Sequence, residues 1–112
     1  MIFNEFLNQY VYSKKEMKRI LKKTQVDDKC DALGNPITNL DYLTIHHIFK
    51  QVYGGEYTID NCIALVSSFH KYLHYLETVD YDKYVDLNNH LKKIIDYTIV
   101  DSEKAKILLK KR

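Results

Sequence analysis

At 112 residues, with 46% hydrophobic and 29% charged residues, the chain has the size and make-up of one ordinary globular domain. No apolar run nears the roughly 20 residues of a bilayer span, and Asn4 and Glu5 interrupt the N-terminus where a signal peptide needs an apolar stretch. A cytoplasmic protein with no membrane partner is therefore expected, and a net charge of +2 is too small to establish a nucleic-acid partner by itself.

From the N-terminus, Phe3, Phe6, Leu7, Tyr10 and Val11 recur at helical spacing and predict a helix over Ile2–Tyr12. Ser13 followed by Glu16 is a capping-box pattern that starts a second helix, running to about Lys23. In it the basic doublets Lys14/Lys15, Lys18/Arg19 and Lys22/Lys23 repeat every four residues, which makes a basic stripe, while Met17, Ile20 and Leu21 turn toward a core. Such a stripe can lie along a phosphate backbone or simply be solvated.

The pattern then breaks at "ALGNPITNLD", where Gly34 and Pro36 flank Asn35. Strand formers follow in "YLTIHHIF", then a loop with Gly54 and Gly55, then the short apolar strand "CIALV". Ser67 or Ser68 is expected to cap a helix in which Phe69, Leu73 and Leu76 share one face. Tyr84, Leu87, Leu91, Ile94, Ile95 and Ile99 mark a longer helix, and "SEKAKILLKKR" reads as a terminal helix. Cys30 and Cys62 are isolated in sequence, so two buried thiols are expected, not a disulfide framework. The ten tyrosines could include base-stacking residues, but with no tryptophan and four phenylalanines they are expected to serve the core.

Four of the five histidines fall between Thr44 and His74. His70 and His74, four apart on a helix, project from one face with chelating geometry. Adjacent strand residues point to opposite faces, so His46 and His47 have different tasks. One joins His70 and His74 around a metal, and the other looks away, free to handle a proton. His90, alone in "DLNNHLKK", reads as a surface or hydrogen-bonded residue.

Taken together, "HHI…GG…T-x-D-N…H-x-x-x-H" resembles the HNH endonucleases, whose ββα-metal motif wraps two strands and a helix around one divalent cation. It is most similar to the DNase domains of nuclease colicins and to small HNH proteins of phages and low-GC bacteria, where "H-x-y-L-H-x-x-E" is common, as in "HKYLHYLE" here. The resemblance covers about Cys30 to Glu77. It implies an α+β, mostly helical fold. A ββα-metal core at 30–78 with a short β-hairpin would lie between N-terminal helices at 1–24 and C-terminal helices at 80–112, in a single domain over 1–112. It further implies that His47 is the general base, that His46, His70 and His74 bind the metal, and that Asn61 ties down the inter-strand loop and so holds the base. His74 alternatively contacts the scissile phosphate. Many relatives carry two C-x-x-C pairs for a structural zinc; here only Cys30 of the first remains and the second is absent.

The function so implied is metal-dependent hydrolysis of DNA phosphodiester bonds. A neutral histidine with an ordinary pKa near ~6.5 suits removal of a water proton around neutral pH. Three imidazoles favour Zn²⁺, Ni²⁺ or Mn²⁺, whereas Mg²⁺ prefers oxygen ligands and becomes suitable if His74 contacts phosphate. Lys50 and Lys71 are candidates to hold flanking phosphates. Arg19 and Arg112 are the only arginines, and arginine is the commonest reader of guanine edges. Double-stranded DNA cut with little sequence preference is therefore expected, unless a protein partner or homodimer supplies one. The alternative reading is a phage-type protein, acting in the host cytoplasm, that uses the scaffold as a binding module or as an inhibitor of a host defence nuclease, with weak or no cleavage.

Overall fold

The structure, a computed structural model, describes residues 9–27 and 29–110. The helix expected over Ile2–Tyr12 falls mostly outside them; within them Gln9 is helical and Tyr10 to Tyr12 are not. The capping box forms as expected: the Ser13 hydroxyl accepts from the Glu16 amide at 3.1 Å, and the Glu16 carboxylate accepts from the Ser13 amide at 3.2 Å. It starts helix α1, Lys14–Thr24, which buries Met17 and Leu21 completely and leaves all six basic side chains of the stripe exposed.

Two strands follow, β1 (Leu43–His47) and β2 (Cys62–Val66), paired antiparallel with Leu43 opposite Val66 and His47 opposite Cys62. All five residues of β2 are buried, which is why "CIALV" is continuously apolar instead of alternating. Ile63 and Leu65 face one way, into a core with Leu73, Leu76, Tyr84, Leu91 and Ile95. Cys62 and Ala64 face the other way, onto Met17, Leu21 and Ile59. Each such fully buried aliphatic side chain contributes about 1.5–3 kcal/mol, so the hairpin is held as the middle layer between α1 and the C-terminal helices.

The free edge of β2 is closed by side chains. Gln25 donates to the Cys62 carbonyl at 3.0 Å and accepts from the Ala64 amide at 2.8 Å. The buried Asp31 carboxylate accepts from the Val66 amide, and also from the amides of Leu33 and Asn35 and the Asn35 side chain. Four donors on one carboxylate satisfy the turn around Gly34 and tie it to the sheet. Cys30, in a bridge with Pro36, is half-buried; only Cys62 of the two free thiols is buried as expected. Burial pushes the Cys62 thiol pKa up to about 12.

Helix α2, Ser67–Val79, begins one residue after β2. Neither Ser67 nor Ser68 is its cap, in contrast to the expectation: the N-cap is Val66, which has no side-chain capping bond. Asp41 substitutes from outside, its Oδ1 accepting from the Ser67 hydroxyl at 3.0 Å and the Ser68 amide at 3.1 Å. A carboxylate at a helix N-terminus is favourable, and the hydrogen bonds from Ser68 and Ser67 hold its pKa below the usual range. Helix α3, Tyr81–Lys110, is continuous, so the separate terminal helix expected from "SEKAKILLKKR" is the end of α3. The fold is a mostly helical α+β arrangement, with a two-stranded hairpin and the helix that follows it. No helix among the described residues is long and apolar enough to cross a membrane.

Candidate metal centre

Register decides what the two adjacent histidines do. His46 lies opposite Ile63 and His47 opposite Cys62, and directly paired antiparallel residues project to the same face. His46 therefore points to the α2/α3 side, and His47 to the α1 side. There His46, only 2% exposed, brings its Nδ1 to 3.4 Å from His70 Nε2. His74 Nε2 lies 3.2 Å from the same His70 atom. The structure thus brings together the three histidines expected to bind metal.

The hydrogen bonds behind these rings assign their protons. Thr44 Oγ1 donates to the Leu65 carbonyl at 2.9 Å, so its contact with His70 Nδ1 at 2.8 Å has the imidazole as donor. The Asn88 amide nitrogen donates to the Ile48 carbonyl at 3.1 Å, which turns its Oδ1 to accept from His46 Nε2 at 2.8 Å. His46 Nδ1 and His70 Nε2 then both carry lone pairs and face each other. Two lone pairs do not bond, so the contact is open to a shared proton or a cation. Backing of each ring N–H by an oxygen acceptor is the usual outer arrangement of metal-bound histidine. Desolvation lowers the pKa of His46, and desolvation with neighbouring imidazoles takes His70 to about 4. Both rings are neutral at pH 7, the form that binds metal.

Separation also fits. Metal–nitrogen bonds of 2.0–2.1 Å in tetrahedral geometry place ligand nitrogens about 3.3–3.4 Å apart, close to the 3.4 and 3.2 Å found. The three nitrogens meet as a chain with His70 in the middle, and no group of three or more His, Cys, Asp or Glu among the described residues forms a ready-made metal cage. His74 is the exposed member, with Glu77 Oε1 at 3.7 Å from its Nδ1. Glu77 also pairs with Lys50, an ion pair that lowers the Glu77 pKa and raises that of Lys50.

His47 borders the same pocket of about 230 Å³ as His46, His70 and His74, together with Lys50 and Gln51. Its ring packs edge-on against Tyr57, with centroids 4.6 Å apart, and its buried Nε2 has no hydrogen-bond partner. Burial lowers its pKa as well, so it too is neutral at pH 7. Asn61 sits where a brace is needed. Its Oδ1 accepts from the Phe49 amide at 2.7 Å, and its Nδ2 donates to the carbonyls of Phe49 and Glu56 at 3.0 and 3.1 Å. Its backbone carbonyl accepts from the Ile48 amide. Between those anchors the chain makes a 3-10 turn, Gln51–Tyr53, closed by Gly54 at φ +100° and by Gly55, where a Cβ would stand 1.8 Å from the Phe49 carbonyl oxygen. Asp60 accepts from the Thr58 hydroxyl, and its carbonyl accepts from Lys92 of α3.

A second cavity of about 370 Å³ continues from His47, Tyr57 and His70 to Lys14 and Lys18 of α1. Lys22 prolongs that row by one turn, while Lys15, Arg19 and Lys23 form the neighbouring row. Lys71 is exposed on α2 outside both cavities, and His90 is exposed on α3, away from the site. Thr44 and Asn88 carry no signal in the sequence, and Glu77, the last residue of "HKYLHYLE", has no role assigned by it. The first two orient histidines from 26 and 42 positions away, a relation that no local spacing encodes.

No protein-family model matches the chain, and no solved structure matches it. Among curated proteins, 42 residues, 38% of this chain, are 45% identical to part of the type IV methyl-directed restriction enzyme EcoKMcrA of Escherichia coli (strain K12). The chain spans 13% of that enzyme's length.

Proposed function

We propose that the protein is a metal-dependent endonuclease of the HNH type, with the cation held by His46, His70 and His74 and with His47 as general base. The observation that carries this reading is the assigned pair of lone pairs on His46 Nδ1 and His70 Nε2, converging beside a fourth, neutral histidine in one pocket. Similarity to a segment of a restriction enzyme supports it. Three imidazole donors favour Zn²⁺, Ni²⁺ or Mn²⁺ over Mg²⁺. When bound, the cation supplies Lewis acidity toward the phosphate and the leaving oxygen.

The chain's own residues do the rest. His47, neutral because burial opposes its charging, takes the proton of the attacking water. Asn61 and the two glycines hold the loop that follows His47, so the ring keeps its place at the end of β1. Lys14 and Lys18, lining the cavity that His47 shares, lie along the DNA backbone, and Lys15, Arg19, Lys22, Lys23 and Lys71 add positive field without direct contact to the reacting phosphate. Lys50 is committed to Glu77, so its service to a phosphate requires that pair to open.

Supercoiled plasmid incubated with each of Zn²⁺, Ni²⁺, Mn²⁺ and Mg²⁺ tests the proposal. Nicking by the wild-type protein and a loss of about 10²-fold or more in His47→Ala are expected, in line with the usual weight of a general base. Intact plasmid with every metal would defeat the nuclease reading and leave the binding-module alternative.

A further inference from the structure

Beside the histidine pocket, on the far side of Lys50, lies a third cavity of about 240 Å³. Phe49, Tyr53, Tyr81 and Tyr84 supply its aromatic lining, and Glu77 and Asn89 supply polar groups. Tyr84 belongs to the core, but Phe49, Tyr53 and Tyr81 are 54%, 71% and 62% exposed. Rings so exposed add little to folding, since most of their area stays in water. They nonetheless form two arrays, Phe49 with Tyr53 at 6.4 Å and Tyr81 with Tyr84 at 5.9 Å. Lys50 joins the two cavities: it borders both, and its ammonium stands 6.0 Å from the Tyr84 ring centre.

We infer that this cavity receives an unstacked nucleobase of the strand being cut, and that the protein therefore prefers nucleic acid with an unpaired nucleotide beside the scissile phosphate. The inference rests on the nuclease reading for the strand's position and adds the substrate class. A strand crossing the histidine pocket passes Lys50, whose charge complements the adjoining phosphate once Glu77 releases it. The attached base then faces tyrosine and phenylalanine rings, on which any base can stack through its π-face. Glu77 and Asn89 offer hydrogen-bond acceptors and a donor for base edges. Within an intact duplex the base is already stacked and paired, and freeing it costs a few kcal/mol, least where it is bulged, mismatched or single-stranded. The shape and chemistry of the cavity thus select for a base that is already free.

The test uses three labelled oligonucleotides of one sequence: a paired duplex, the same duplex with a single bulged nucleotide, and the single strand. Each is cut by the wild-type protein, by Tyr53→Ala/Tyr81→Ala and by Tyr53→Phe/Tyr81→Phe. In parallel, single-strand binding is measured by fluorescence anisotropy in EDTA, where no cleavage occurs. The bulged and single-stranded forms are expected to be cut about tenfold or more faster than the duplex, with the preference collapsing in the alanine variant and persisting in the phenylalanine one. Single-strand affinity is expected to fall about tenfold in the alanine variant, the usual weight of a base–aromatic stack. Equal rates on paired and unpaired substrates, or an alanine variant that keeps the preference, would overturn the inference while leaving the nuclease reading intact. If no metal supports cleavage, the nuclease reading fails separately, and unchanged single-strand affinity in the alanine variant then overturns this one.

Discussion

His46 shows how much a single side chain depends on partners remote in sequence. The spacing of the histidines was enough to expect one of His46 and His47 to join His70 and His74 and the other to look away, because strand alternation and the helical turn are local rules. That His46 is the one that joins them was implied only by the resemblance to HNH endonucleases. The proton assignment was not legible, since it depends on Thr44 and Asn88, which become neighbours only when β1 meets α2 and α3. That dependence makes a prediction. Asn88→Ala removes the acceptor for His46 Nε2 and frees the ring to change tautomer and orientation. Metal affinity, read by competition with a chromophoric chelator, should fall by about 10–100-fold, the usual effect of losing an outer-shell partner. Thr44→Val should act likewise through His70. Wild-type affinity in both variants would show that the rings hold their orientation unaided.

Among the elements, the strands and the start of α1 were legible almost to the residue, because the capping box and the apolar run of β2 carry their own local signals. The start of α2 was legible in position but not in cause. Ser67 and Ser68 look like caps in sequence, yet Asp41, remote in sequence, accepts from the Ser67 hydroxyl and the Ser68 amide and does the capping. The loop between the strands is the element on which the candidate base depends. Gly55 is required by close approach to the backbone: an added methyl group would meet the Phe49 carbonyl oxygen at 1.8 Å, and that oxygen is one of the atoms Asn61 holds. Gly55→Ala should therefore destabilise the protein by about 2–4 kcal/mol, the range of backbone and overpacking changes at constrained sites. Urea denaturation measures this, and an unchanged midpoint would mean that the loop can open without cost.

Across the whole molecule, charge and aromatic content are distributed in a way that composition conceals. A net charge of +2 says little, but α1 concentrates its basic residues on an exposed face whose first two turns border the cavity reached by His47. The tyrosines were expected in the core, and that expectation is corrected. Of those in the described structure Tyr84 is buried, while Tyr42, Tyr53, Tyr75, Tyr81 and Tyr97 are among the most exposed large side chains. Leucine, isoleucine and methionine make up most of the two core layers, with Tyr84 the one buried tyrosine among the described residues and Tyr12 and Tyr57 packed against the edge of the second layer. The aromatic residues this frees lie partly around the cavity beside Lys50, where sequence periodicity could not place them.

His46, His70 and His74 are proposed to hold one divalent cation together while His47 stays free of it. Calorimetric titration of metal-free protein with Zn²⁺ and Ni²⁺ addresses that most directly. One ion per chain is expected, with affinity lowered by about 10²-fold or more in His70→Ala, beyond the effect of losing an outer-shell partner, and unchanged within about twofold in His47→Ala. Metal binding that is undiminished in His70→Ala, or lost in His47→Ala, would contradict the assignment.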